Sequence, residues 1–230
     1  EETARNLRTR LPLYDAWIEA DTLPNNRVRV RVVTVDEWTL AIGPNIELEG
    51  DEYRYDFSAS DRNLLGRNQE LALSYVIQEN EDNFGDIRYE NPRLWGYPYR
   101  LITGYRNDPL DGTEYIGIGH PFYNLQQDYA YSFSIGATSG RRDIYDNNQR
   151  IAESRREGDW FRIDAETRTG SYKRKLGLRA LYEYRFENTF DEIVLTDEPD
   201  QIELANRAFA DDSVYHYVEM NLSFSNYHFT

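Results

Sequence analysis

Apolar side chains recur at every second position over short stretches along most of this chain, and each stretch is closed by a polar connector. Tyr53, Tyr55, Phe57 and Ala59 alternate with Arg54, Asp56 and Ser58. Leu71, Leu73, Tyr75 and Ile77 alternate with Ala72, Ser74 and Val76. Tyr129, Tyr131, Phe133 and Ile135 alternate with Ala130, Ser132, Ser134 and Gly136. An extended strand sends successive side chains to opposite faces, so the pattern predicts strands with one greasy, aromatic face and one small or polar face. Such strands build an antiparallel sheet, either packed on a core or closed into a barrel whose greasy face meets lipid.

From Trp38 onward the alternation predicts about ten strands, at roughly 38–49, 52–60, 69–78, 84–91, 98–106, 113–120, 128–138, 158–168, 174–186 and 213–226. The connectors Asp61–Asn68, Pro92–Tyr97, Pro121–Gln127 and Thr169–Lys173 are compact, whereas Arg141–Glu157 and Glu187–Asp212 read as long charged loops. Tight turns at one end and long loops at the other are the pattern of an outer-membrane barrel. A β-sandwich also gathers its loops at two ends, with less reason for their lengths to alternate. Arg162, Glu166, Arg168, Arg179, Glu183 and Arg185 fall on or near the polar face, where a wet lumen tolerates charge better than a dry core does.

Residues 1–37 read differently. Ala4, Leu7 and Leu11 have helical spacing before Pro12, Leu13–Ala20 reads as a short strand, and Pro24-Asn25-Asn26 as a turn. Val28, Val30 and Val32 then alternate with Arg27, Arg29 and Arg31, which predicts a strand with one buried and one charged face. This is a fragment of a small α+β module.

Composition removes several classes of function. The net charge of −15 opposes nucleic-acid binding, which rests on cationic contacts to phosphate. With no cysteine there is neither a disulfide nor a thiolate metal site. His120, His216 and His228 lie far apart, and no Gly-rich phosphate loop, nucleophile elbow or zinc-protease motif occurs, so no catalytic residue, metal or cofactor is assigned. The acidic stretch containing Asp191, Glu192, Asp197, Glu198, Asp200 and Glu203 lacks the spacing of a calcium loop and reads as a solvated surface. Trp95, Tyr97, Tyr99 and Tyr123 are candidates for an aromatic girdle, with ordinary turn packing as the alternative. No stretch approaches the ~20 apolar residues of a membrane helix, which leaves a barrel open.

Three connectors carry a family resemblance. Asp61-Arg62-Asn63-Leu64-Leu65-Gly66-Arg67-Asn68, Asn91-Pro92-Arg93-Leu94-Trp95-Gly96 and His120-Pro121-Phe122-Tyr123 occur in that order between successive strand pairs. In order and spacing they resemble the opening barrel turns of BamA/TamA-like outer-membrane assembly factors, the bacterial surface antigen family. The family-like positions are Asn63, Leu64, Leu65, Gly66, Asn91, Pro92, Gly96, Pro121 and Phe122; Asn68 departs, since the family often has Gly there. Residues 1–37 resemble the C-terminal part of a periplasmic POTRA module, followed by barrel from 38 to 230.

The resemblance implies an all-β, up-and-down antiparallel transmembrane β-barrel, only partly represented. The family's barrel has sixteen strands and an Arg-Gly-Phe/Tyr loop motif that does not occur here, and the opening at Glu1-Glu2, with no initiator Met, charged n-region or apolar h-region, reads as that of a mature protein or an excised fragment. It further implies a bacterial outer-membrane location with the N-terminal segment periplasmic. The implied role is non-enzymatic insertion or translocation of other proteins by strand addition at the first barrel strand. That edge maps to Thr39, Leu40, Ala41, Ile42, Gly43, Asn45, Ile46 and Leu48, interrupted by Gly43-Pro44. Implied partners are outer-membrane lipid and lipopolysaccharide, unfolded barrel or secreted substrates, and periplasmic accessory proteins. The alternatives are a passive channel or porin, and a secreted β-sandwich or propeller that binds or cleaves glycans.

Overall fold

The computed structural model describes residues 13–24, 27–49, 52–79, 82–124, 126–171, 174–209 and 213–226. The helix expected before Pro12, and Asn25-Asn26 of the first turn, lie outside them. Two antiparallel sheets account for nearly everything described. The first is a hairpin of β1 (Leu13–Leu23) and β2 (Arg27–Asp36), longer at β1 than the sequence pattern predicts. Val28 and Val30 are each 60% exposed and Val32 53%, so the expected buried face of β2 is not buried.

The second sheet is a ten-stranded meander in which every strand pairs with its neighbours in the chain. Its strands are β3 (Leu40–Glu49), β4 (Glu52–Asp61), β5 (Glu70–Gln78), β6 (Phe84–Asn91) and β7 (Arg100–Arg106), then β8 (Gly112–His120), β9 (Tyr129–Asp146), β10 (Gln149–Gly170), β11 (Arg174–Val194) and β12 (Ser213–Asn226). Nine of the ten strand starts lie within two residues of the alternation, and β10 starts nine residues earlier than expected, at Gln149. The strand ends do not agree everywhere. The expected long loop Arg141–Glu157 is instead a continuation of β9 and β10, joined at Asn147-Asn148. Both asparagines have left-handed backbone (φ 49° and 66°), as a tight two-residue hairpin turn requires. The expected loop Glu187–Asp212 holds the last residues of β11 and a helix α1 (Pro199–Ala208).

The helix follows from local chemistry. Pro199 sits in its first turn, Asp200 complements the N-terminal dipole, and Arg207 in the last turn pairs with Glu203 at 2.5 Å. Ala205 is fully buried against Ile151 and Ala152 of β10, with Ile144, Val194 and Phe209 around them. This small cluster is the nearest thing to an ordinary core. Beyond strand-to-strand pairing, α1 alone packs appreciably on the sheet among the described residues, so the sheet is one layer thick.

Cross-strand register puts the apolar positions of all ten strands on one face. Ile46 faces Tyr55, Tyr55 faces Ile77, Leu73 faces Ile87, Ile118 faces Phe133, Phe133 faces Ile163, and Leu178 faces Leu222. Ionised residues on this face lie at its margins, such as Asp61 at one end and Glu114 and Asp159 at the other. The opposite face carries the charges the sequence placed there, and they are paired. Glu90 receives Arg100 at 2.8 Å and Arg88 at 3.3 Å, Asp164 receives Arg179, Glu183 receives Arg162 and Arg185, and Glu166 receives Arg168 at 2.8 Å.

The polar face is also the crowded one. Across β7 to β10, Gly104, Tyr115, Gly136 and Trp160 are successive cross-strand partners, and each ring lies on a glycine. A Cβ on Gly104 would stand 2.6 Å from the Tyr115 ring, and one on Gly136 2.6 Å from Trp160. Aromatic rings covering strand glycines in this way compensate for the missing side chain and hold the local register.

Candidate functional site: an open edge and a ring of turns

Among the described residues, β3 and β12 are the two edges of the large sheet and do not pair with one another, so no closed barrel is formed. β3 bonds only to β4, in unbroken register from Leu40–Asp61 to Glu49–Glu52. The expected interruption at Gly43-Pro44 is therefore absent: Gly43 faces Ser58, Pro44 faces Phe57, and the Ser58 hydroxyl donates to the Gly43 carbonyl at 3.2 Å. Proline fits because an edge strand can lose a donor without breaking a ladder on both sides.

A strand with a single neighbour leaves every second backbone N–H and C=O pointing outward, a template for another chain. Along this edge Ile42 (76% exposed), Ile46 and Leu48 lie on the apolar face, and Ala41, Asn45 and Glu47 are exposed on the other. Thr39 lies just before the strand, where its hydroxyl donates to Asp61 at 2.7 Å and its carbonyl accepts from the Arg62 N–H. Arg62 also reaches Glu37 at 2.9 Å, so the segment leading into β3 is tied to the turn after β4.

The three turn motifs fall at one end of the sheet, after β4, β6 and β8. The second and third are brought together. The Tyr123 hydroxyl donates to the Pro92 carbonyl at 2.5 Å, and the Arg93 guanidinium lies over the Tyr123 ring at 5.6 Å. Arg168 from β10 covers Phe122 at 3.7 Å, and Gln127 donates to the Pro121 carbonyl at 3.1 Å. Asn63, Leu64, Leu65 and Gly66 stand apart from this cluster, yet they repeat the geometry of the second turn.

In each turn a carboxylate or amide two residues ahead accepts a backbone N–H: Asp61 from Asn63, and Asn91 from Arg93. Leu64 N–H donates to the Gln69 carbonyl at 2.9 Å, as Leu94 does to Tyr99 at 2.8 Å. Leu65 and Trp95 both adopt left-handed backbone (φ 54° and 53°), followed by Gly66 (φ 71°) and Gly96 (φ 82°). The sequence signal for this repeat is an Asx followed three residues later by Leu, an apolar residue and Gly, visible only when the two turns are aligned.

Open space surrounds a Cβ built on Gly66 or Gly96, so substitution there meets only the dihedral penalty. Gly66→Ala and Gly96→Ala are each expected to destabilise by about 1–2 kcal/mol, seen as a lowered urea midpoint with unchanged slope.

On the apolar face at this end, the His120 ring stacks on Tyr129 and Tyr131 and meets Tyr99 edge-on, with centroids 5.6 to 6.0 Å apart. Gln127 Nε2 lies 2.9 Å from His120 Nδ1. Of the four girdle candidates, Tyr99 belongs to this cluster, Tyr123 packs between turns, and Trp95 and Tyr97 are exposed. Among the described residues, no group of three or more His, Asp or Glu is placed to hold a metal ion. Compared with known protein families and with curated proteins, the sequence has no match.

Proposed function

We propose that this chain is part of a bacterial outer-membrane β-barrel of the BamA/TamA-like kind. It would insert or translocate other proteins by offering the free edge of β3 to an incoming strand, with residues 1–37 periplasmic as part of a POTRA-like module. The observation that carries the reading is an inverted distribution of polarity. On β8 the small polar-face residues Gly117 and Gly119 are buried, while Ile116 and Ile118 on the other face are 49% and 44% exposed. A water-soluble sheet buries a row of such isoleucines.

Magnitudes favour a bilayer over a missing protein layer. Ten strands about 4.8 Å apart make a face roughly 45 Å wide. Its height follows from β11, where the apolar positions run from Leu176 to Phe186. Ten steps of about 3.3 Å, tilted by about 40°, span roughly 25 Å, the usual height of a barrel's apolar band. The resulting area, on the order of 1,000 Å², exceeds the several hundred Å² of apolar patch usual on soluble monomers. A secreted sandwich would cover this face with a second sheet, and none is found among the described residues. The paired charges on the other face suit a wet interior.

The edge role has a direct test. The chain has no cysteine, so Ile42→Cys and Ile46→Cys each give it one reactive thiol. In membranes, both variants are expected to crosslink to a nascent barrel substrate, while Met220→Cys on β12 captures none. A folded, membrane-inserted protein that never crosslinks through a thiol at position 42 or 46 would remove the edge role and leave a passive channel.

A further inference from the structure

We infer that the twin turns at Leu64–Gly66 and Leu94–Gly96 are anchors for the interfacial layer of a lipid bilayer, with the Leu65 and Trp95 side chains as the groups that enter it. The inference rests on the bilayer reading above and adds to it which residues fix the depth and tilt of the sheet. Its basis is a cost without an internal return. A side chain on left-handed backbone is disfavoured, and Gly or Asn would relieve it. Here the conformation is imposed twice, by the same hydrogen bonds, on a leucine and a tryptophan. Neither gains packing among the described residues: Leu65 is 82% exposed and Trp95 86%.

Position identifies the occupant. Both turns lie at the end of the sheet where the Tyr99–His120–Tyr129–Tyr131 rings edge the apolar face, and amphipathic rings collect where hydrocarbon meets headgroups. A protein pocket would select one shape, whereas equivalent sites here carry Leu and Trp. A fluid layer accepts both.

The test uses the full chain folded into phosphatidylcholine–phosphatidylglycerol vesicles, with one nitroxide label on Leu65→Cys, Trp95→Cys, Ile118→Cys or Asn148→Cys. Collision rates with oxygen and with an aqueous nickel chelate report depth. The label at position 118 is expected to be deep, the one at 148 aqueous, and those at 65 and 95 intermediate. If the labels at 65 and 95 match the one at 148 while that at 118 is deep, the anchors are refuted and the bilayer reading stands. If the label at 118 is also aqueous, the bilayer reading itself fails. Shielding of positions 65 and 95 from both reagents would overturn the anchors too, and assign the turns to a protein contact. As a second measurement, the double change Leu65→Asn and Trp95→Asn, which suits left-handed backbone, is expected to lower insertion into these vesicles several-fold. The exchange Leu65→Trp with Trp95→Leu should preserve it. Unchanged insertion of the Asn pair would overturn the proposal.

Discussion

Phe133→Arg is expected to cost about 2–4 kcal/mol of folding stability in phospholipid vesicles, and Ser132→Arg, one residue away, no more than about 1 kcal/mol. Phe133 lies midway along the apolar positions of β9, between Ile118 and Ile163 on the flanking strands. Ser132 lies on the other face opposite Asp164, whose carboxylate already accepts the Arg179 guanidinium at 2.9 Å. In water an added charge at an exposed site is nearly neutral, within about 0.5 kcal/mol. The predicted contrast therefore depends on the medium and not on the chain alone. Equilibrium unfolding by urea in vesicles measures both variants. Equal, small losses would mean that the apolar face does not meet hydrocarbon, and the membrane reading would fall with it.

Gly136→Val is expected to cost at least about 3 kcal/mol, the upper range for overpacking. The new Cβ would meet the Glu114 carbonyl oxygen at 2.5 Å and the Trp160 indole at 2.6 Å. The indole can rotate, but the carbonyl belongs to the neighbouring strand and moves only with it. Trp160→Ala added to Gly136→Val should accordingly recover part of the loss and not all. Gly43 offers the control. A Cβ there would find only the Ser58 hydroxyl, at 3.9 Å, so Gly43→Val is expected to stay within about 0.5 kcal/mol. Heat-modifiable gel migration and urea midpoints would report both. An unshifted midpoint for Gly136→Val would show that β8, β9 and β10 lie farther apart than the Gly136–Trp160 contact requires.

The two faces of the large sheet were legible in the sequence because apolar and polar positions alternate wherever a strand separates two different media. The same logic explains where the reading stopped. Ser139 to Glu157 carry charges on both faces, so alternation fades although the strands run on and pair. Nothing in periodicity distinguishes such a hairpin from a loop; the tight Asn147-Asn148 turn was the available signal. Helix α1 was hidden by its charge and by the small size of its contact with the hairpin, through Ala205 and the Gln201–Asp146 hydrogen bond. The valines of β2 show the converse error: alternation marked the strand correctly, yet nothing among the described residues covers their face. Of the candidate site, the β3 edge could be placed by chain order. The contact of Tyr123 with Pro92 joins two turns 31 residues apart and needed the register of four strands to be known.

Because every pairing in the large sheet links strands adjacent in the chain, assembly can proceed one hairpin at a time, in the order in which the residues appear. Most loop closures are short, and each completed strand becomes the template for the next, which keeps the entropy of every step low. The exception is the passage from β11 to β12 across residues 195–212, where the growing sheet must wait for the longest connector to close. Halving that connector would ease its closure by about 0.6 kcal/mol, enough to speed the last addition a few-fold.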